Sequence, residues 1–126
     1  MCRFYLEYEE NTIYLHNLSN NVQIMDNTFI GQIEGTLKQN WDLDALTDYN
    51  GSTLQYKDVA RKIEKMHILM AEGGVEKGDK IAICGRNSSH WGVAFLATVT
   101  YGAVAVPILH EFTPEVVHNI VNHSDA

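Results

Sequence analysis

The chain has 126 residues, 45% hydrophobic and 20% charged, with a net charge of −7. That length allows one domain at most, large enough to bury roughly two-thirds of its unfolded surface. The acidic balance, with no basic stripe, argues against a general nucleic-acid or anionic-membrane surface, and the cysteines Cys2 and Cys84 give no disulfide framework.

The N-terminus carries acidic residues where a signal peptide is basic, and it has no apolar targeting core. No apolar run approaches the ~20 residues of a membrane span. The expectation is a soluble protein of the reducing cytoplasm, with association at a membrane surface left open. Phe4, Tyr5, Leu6 and Tyr8, then Ile13, Tyr14 and Leu15, form two apolar clusters without a clean helical or strand period. Residues 1–24 therefore read as a leader to which the pattern assigns no order. The domain is expected over 25–126, with Met25 a natural start and Asp26 or Asn27 as the first helix cap.

Phe29, Ile30, Ile33 and Leu37 share one helical face and predict a helix over 28–39 that stops at Asn40. Asn50-Gly51 lies between short strand candidates at 45–49 and 52–54 and predicts a β-hairpin with a type I′ turn. From Gln55 to Gly73, the stripe Tyr56, Val59, Ile63, Met66 and Met70, with Ala60, His67 and Leu69 beside it, predicts a second helix. Gly73-Gly74 is its stop. Met66 and Met70 read as core filler and His67 as a structural histidine.

Gly74 to Pro107 organises the rest. Ile81-Ala82-Ile83-Cys84 is an apolar strand, Ser88 caps a helix running to Tyr101, and Ala103 to Val106 is a second strand stopped by Pro107. Strands joined by a helix of that length are parallel and their crossover right-handed. The helix is apolar nearly all round, so it needs cover on more than one side. The strands read as buried on both faces, with Cys84 a buried reduced thiol. A further crossover starts at Thr113-Pro114, with Val116, Val117, Ile120 and Val121 on its helix. No strand follows it, so the chain reads as a partial three-layer α/β fold with a βαβ crossover, parallel strands and a β-hairpin. The expectation is a piece of a larger α/β protein, its final helix and one sheet edge exposed or covered by another copy.

Gly85-Arg86-Asn87-Ser88-Ser89 sits between a strand and a helix start, a position where free amides can bind an anion. It has one glycine and no Lys-Ser/Thr pair, so it is neither a P-loop nor a dinucleotide fingerprint, and a structural turn is the simpler reading. Arg86 is left to pair with a carboxylate elsewhere. His110, His118 and His123, with Glu111, Glu115 and Asp125, could suggest a metal, but His118 and His123 are five apart and diverge around a helix. The residues alone assign no catalytic, cofactor-binding or metal-binding side chain.

From Gly51 onward the order of motifs resembles the N-terminal part of the acyl-adenylate-forming (AMP-binding) superfamily. The resemblance rests on Leu54-Gln55-Tyr56-Lys57-Asp58-Val59, on Gly74-Val75 through Gly78-Asp79 into the apolar strand, and on Asn87 and Trp91. It continues through Ala94 to Pro107, Thr113-Pro114-Glu115 and Asn122 to Ala126. Arg86-Asn87 with Trp91 is most similar to the long-chain fatty acid–CoA ligases. Gln55, Asp58 and His90 depart from the family pattern, which has threonine, glutamate and commonly an acidic residue there.

The resemblance implies a fragment of the large N-terminal adenylation domain of an enzyme that activates a fatty acid with ATP and passes the acyl group to coenzyme A. It implies ATP, Mg²⁺ and coenzyme A for the parent and none in this fragment, which is expected to be inactive by itself. The implied partners are a fatty acid substrate and the rest of the adenylation domain in cis, with membrane-surface association of the parent allowed. The alternative is a self-contained flavodoxin-like binding or signalling module with a pocket at its strand ends. A pure oligomerisation domain is a weaker third reading, and self-association is expected because open sheet edges and apolar faces invite it.

Overall fold

The computed structural model describes residues 5–9, 12–16 and 28–126. It is a mixed α/β fold with two antiparallel hairpins and one parallel strand pair. Strands β1 (Tyr5–Glu9) and β2 (Thr12–His16) pair antiparallel, with Leu6 opposite Leu15 and Tyr8 opposite Ile13. The two apolar clusters that lack a clean period are thus the strands of a hairpin. Each is too short to display alternation, and their register is a cross-strand property. Asn17 to Asn21, Met25, Asp26 and Asn27 lie outside the described residues.

Helix α1 (Phe29–Gln39) is capped by Thr28, not by the residues before it: the Thr28 hydroxyl accepts the Gly31 N–H at 3.1 Å. Strands β3 (Asp44–Thr47) and β4 (Thr53–Gln55) form the expected hairpin, but not on a type I′ turn. Of its two central residues only Asn50 has positive φ, at 53°. The loop closes instead through Asp48 N–H to Ser52 O and Gly51 N–H to Asp48 O. That wider loop frees the Asp48 carboxylate to point elsewhere.

Helix α2 (Tyr56–Glu72) follows directly. Asp58 Oδ2 accepts the Gln55 N–H at 3.1 Å, so the shorter acid at 58 still closes the start of the helix. Val59, Ile63 and Met70 are buried as the stripe requires. Leu69, read as flanking that stripe, is instead 61% exposed beside Ile68 at 50%. Gly74 takes the left-handed conformation at φ 79° that ends the helix.

Strand β5 (Lys80–Gly85), helix α3 (Ser89–Tyr101) and strand β6 (Val104–Leu109) form the parallel unit. No residue from Trp91 to Tyr101 is exposed, which answers the all-round apolar pattern: the β5–β6 sheet lies on one side of α3, α2 and β3 on the other. The core joins Leu37, Val59, Ile63, Met70, Val93 and Ala97.

Pro107, expected to stop the second strand, lies inside it opposite Ile83. The Val104 N–H bonds Asp79 O, and strand alternation then aims the Val106 and Ile108 amides at β5 and position 107 away from it. A missing N–H costs nothing on an unpaired edge.

The expectation of strands buried on both faces also fails. Ile81 and Ile83 face α3, and a Cβ on Gly85 would meet Trp91 at 3.7 Å. Lys80, Ala82 and Cys84 face the other way and are exposed, as is Val104 beside them. Cys84 is therefore an exposed free thiol, not a buried one. Helix α4 (Pro114–Ser124) crosses that second face, where Ile108 is 3% exposed, yet buries none of its own residues. As expected, the last helix is left largely open.

Candidate functional site

The loop between β5 and α3 is the position at which the residues offered an anion site. Its geometry answers that question. Ser88 Oγ accepts the Trp91 N–H at 3.2 Å, capping the helix. Asp48, reaching from the β3–β4 loop, accepts the Ser89 N–H at 2.6 Å and the Ser89 hydroxyl at 2.8 Å. Both hydrogen bonds, the backbone one foremost, hold the Asp48 carboxyl below its ordinary range, and nearby His90 adds to the effect. The Ser89 and Trp91 amides, which a phosphate at this helix start would use, are thus already bonded, and the group on Ser89 is negative. The simpler reading, a structural turn, is what the chain builds. Arg86 stands exposed beside it.

A second polar cluster joins α2 to α3. His67 Nε2 lies 3.0 Å from Ala97 O and 3.0 Å from Thr100 Oγ1. Its ring meets Tyr101 edge-on at 5.4 Å, and the Tyr101 hydroxyl donates to Val75 O at 2.8 Å. Burial lowers the His67 pKa below 6.5, with the Ala97 carbonyl opposing that. The ring is a neutral crosslink between helices, the structural role read from the sequence. Thr100 and Tyr101 gave no sign of it, because their partner lies about 30 positions away.

The histidines weighed as metal ligands, His110, His118 and His123, form no ligand group. His110 is 4.0 Å from Glu111, and His118 Nε2 is 3.3 Å from the Asn122 amide. Among the described residues no group of three His, Cys, Asp or Glu side chains could hold a metal ion. An open apolar groove of about 350 Å³ runs between α1, β3, α2 and α3, lined by Phe29, Ile33, Leu46, Tyr56 and Leu96 among others. Its lining holds no charged side chain to neutralise a phosphate or carboxylate. That groove therefore offers no charged side chain to Mg²⁺ or to the triphosphate of ATP. No described helix is long and apolar enough to cross a membrane.

The fold and its motifs match a known family. The model of the AMP-binding enzyme family covers residues 33–126. The chain belongs to the AMP-binding enzyme family. YdaB of Bacillus subtilis (strain 168), which carries the name of an acyl–CoA ligase, is 29% identical over 73 residues, 58% of this chain and 14% of its own length. The hybrid PKS-NRPS synthetase fsa1 of Fusarium sp. (strain FN080326) is 30% identical over 77 residues, 61% of this chain and 2% of its own length. Among solved structures, the N-terminal subdomain of Klebsiella oxytoca NpsA superposes with a TM-score of 0.71 at 19% identity, over 78% of this chain and 26% of that one. This member of the family therefore spans only a small part of those relatives, and its fold is that of the start of an adenylation domain.

Proposed function

We propose that this chain forms the first α/β layers of an adenylation domain whose parent enzyme activates a fatty acid. In that reaction a carboxylate oxygen attacks the α-phosphate of ATP, forming the acyl-adenylate and releasing pyrophosphate. The coenzyme A thiol then attacks the acyl carbonyl and AMP leaves. The observation that carries the adenylating part is the family match across residues 33–126. The fatty-acid part is supported by Arg86-Asn87 followed by Trp91, and by the similarity to an acyl–CoA ligase by name. On this reading ATP, Mg²⁺ and coenzyme A are held by other parts of the domain, and these layers support them as scaffold. The cytoplasm, with its reduced thiols, suits the free Cys84.

Amino-acid activation is the second reading, favoured by the similarity to a hybrid PKS-NRPS synthetase. Pyrophosphate exchange into ATP by the full-length protein, across fatty, aryl and amino acids, separates the two. Long-chain fatty acids are expected to support exchange, and the 126-residue chain alone none. Exchange only with amino acids would overturn the fatty-acid assignment. Exchange by the chain alone would overturn its role as a scaffold.

A further inference from the structure

The loop between β3 and β4 meets two demands at neighbouring positions. Asn50 holds a left-handed backbone, φ 53°, a conformation that asparagine adopts more readily than most residues with a side chain. At the next position a Cβ would lie 2.8 Å from the Asp48 Cβ, so only glycine leaves Asp48 where it stands. Asp48 in turn is fixed by Ser89, whose amide it accepts at 2.6 Å and whose hydroxyl it accepts at 2.8 Å. The tie from the hairpin to α3 therefore selects the dipeptide Asn50-Gly51.

That dipeptide carries a reaction of its own. The backbone nitrogen that follows an asparagine can attack the side-chain carbonyl carbon, and the approach is least hindered where the following residue has no Cβ. Of the asparagines in the chain, Asn50 alone is followed by glycine. Asn50 and Gly51 are both exposed, beside Tyr49 at 96% exposure, so water reaches them. One hydrogen bond guards the site: the Gly51 N–H donates to Asp48 O at 2.9 Å and has to open before the nitrogen reacts. It closes a turn at a hairpin tip, where local opening costs least.

We propose that Asn50 is a site of spontaneous modification to isoaspartate, and that the conversion releases the tie between Asp48 and α3. The Gly51 nitrogen gives its proton to hydroxide and bonds to Asn50 Cγ. The Cγ–Nδ2 bond breaks, and ammonia leaves with a proton taken from water. The product is a cyclic imide. Water then adds at the main-chain carbonyl carbon of residue 50 and breaks its bond to the Gly51 nitrogen. The chain now runs through Cβ and Cγ, and the main-chain carbonyl becomes a free carboxylate; addition at Cγ gives ordinary aspartate instead. In sum, water is consumed and ammonia released.

Isoaspartate puts an extra backbone atom between Asp48 and Ser52. That span is closed by Asp48 N–H to Ser52 O at 3.0 Å and by Gly51 N–H to Asp48 O. A longer path does not keep both bonds, and with them goes the placement of the Asp48 carboxylate on Ser89.

Ageing the chain in mildly alkaline buffer, followed by peptide mapping with electron-transfer mass spectrometry, locates isoaspartate, and NMR hydrogen exchange follows the Ser89 amide. Asn50 is expected to convert at least about tenfold faster than Asn87, which stands exposed before a serine. In the isoaspartate form the Ser89 amide is expected to exchange at least about tenfold faster than in the fresh chain. Fresh Asn50→Asp, which adds the same charge on an ordinary backbone, is expected to keep Ser89 protected. Conversion of Asn50 no faster than that of Asn87 would overturn the modification site. Unchanged exchange at Ser89 after conversion, or the same loss of protection in Asn50→Asp, would overturn the release of Asp48 through the lengthened backbone.

Discussion

At the residue scale, Asp48 and His67 each make long-range polar contacts to α3. Asp48 ties the hairpin loop to the start of α3 through Ser89, 41 positions away. Asp48→Ala is expected to lower the melting temperature, and Asp48→Asn to lower it less; an unchanged melting temperature in Asp48→Ala would remove the tie. Because the folded carboxyl is held below its ordinary 3.8, the stability it contributes is present above that pH and is lost as pH falls through the folded value. His67 acts in a higher window. Its folded pKa is depressed below 6.5, so its contribution is full above 6.5 and is lost as pH falls through the folded value. Glu64 opposes this, since partial burial raises its carboxyl above 4.5 and favours the protonated form in the fold. Urea midpoints between pH 7 and 5 are expected to fall less steeply in His67→Gln than in the wild type. Equal slopes would show that the ring does not titrate against folding.

At the scale of elements, packing and turn geometry decide the cost of change. Ala97 has no exposed surface where α3 crosses α2, and the two helices approach closely there because the side chain is small. Ala97→Leu is expected to destabilise the chain by about 1–3 kcal/mol through overpacking, read from denaturant unfolding. Gly78 precedes β5 with φ 93°, and a Cβ there would meet nothing within 4 Å. The cost of Gly78→Val is then conformational, about 1–2 kcal/mol; unchanged stability would refute the turn assignment. Helix α2, the α3 cap at Ser88 and the parallel pair could all be read from local pattern, because caps, periodicity and turn glycines act within a few residues. The Asn-Gly turn type, the end of β6 at Pro107 and the burial of Cys84 could not. Each depends on which side of a strand faces a neighbour, and composition does not record that.

Over the whole molecule, apolar surface is left uncovered on the second face of the sheet and along α4. Val104 is 48% exposed, and Phe112 and Val116 are each 39% exposed. In the chain alone this surface is expected to drive concentration-dependent self-association. Sedimentation of Val104→Lys is expected to shift toward monomer relative to the wild type, and an unchanged distribution would place the contact elsewhere.

By itself, the sequence determined the α/β class, the helix–strand order from residue 28 onward and the membership of an adenylating family, because local periodicity and motif order carry that information. Only the tertiary structure decided that Asp48 binds Ser89 at the start of α3, that His67 is bonded between helices, and that α3 and α4 take opposite faces of β5 and β6. Those outcomes depend on groups about 30 to 40 positions apart meeting across a packed interface, and no local pattern specifies which groups will meet.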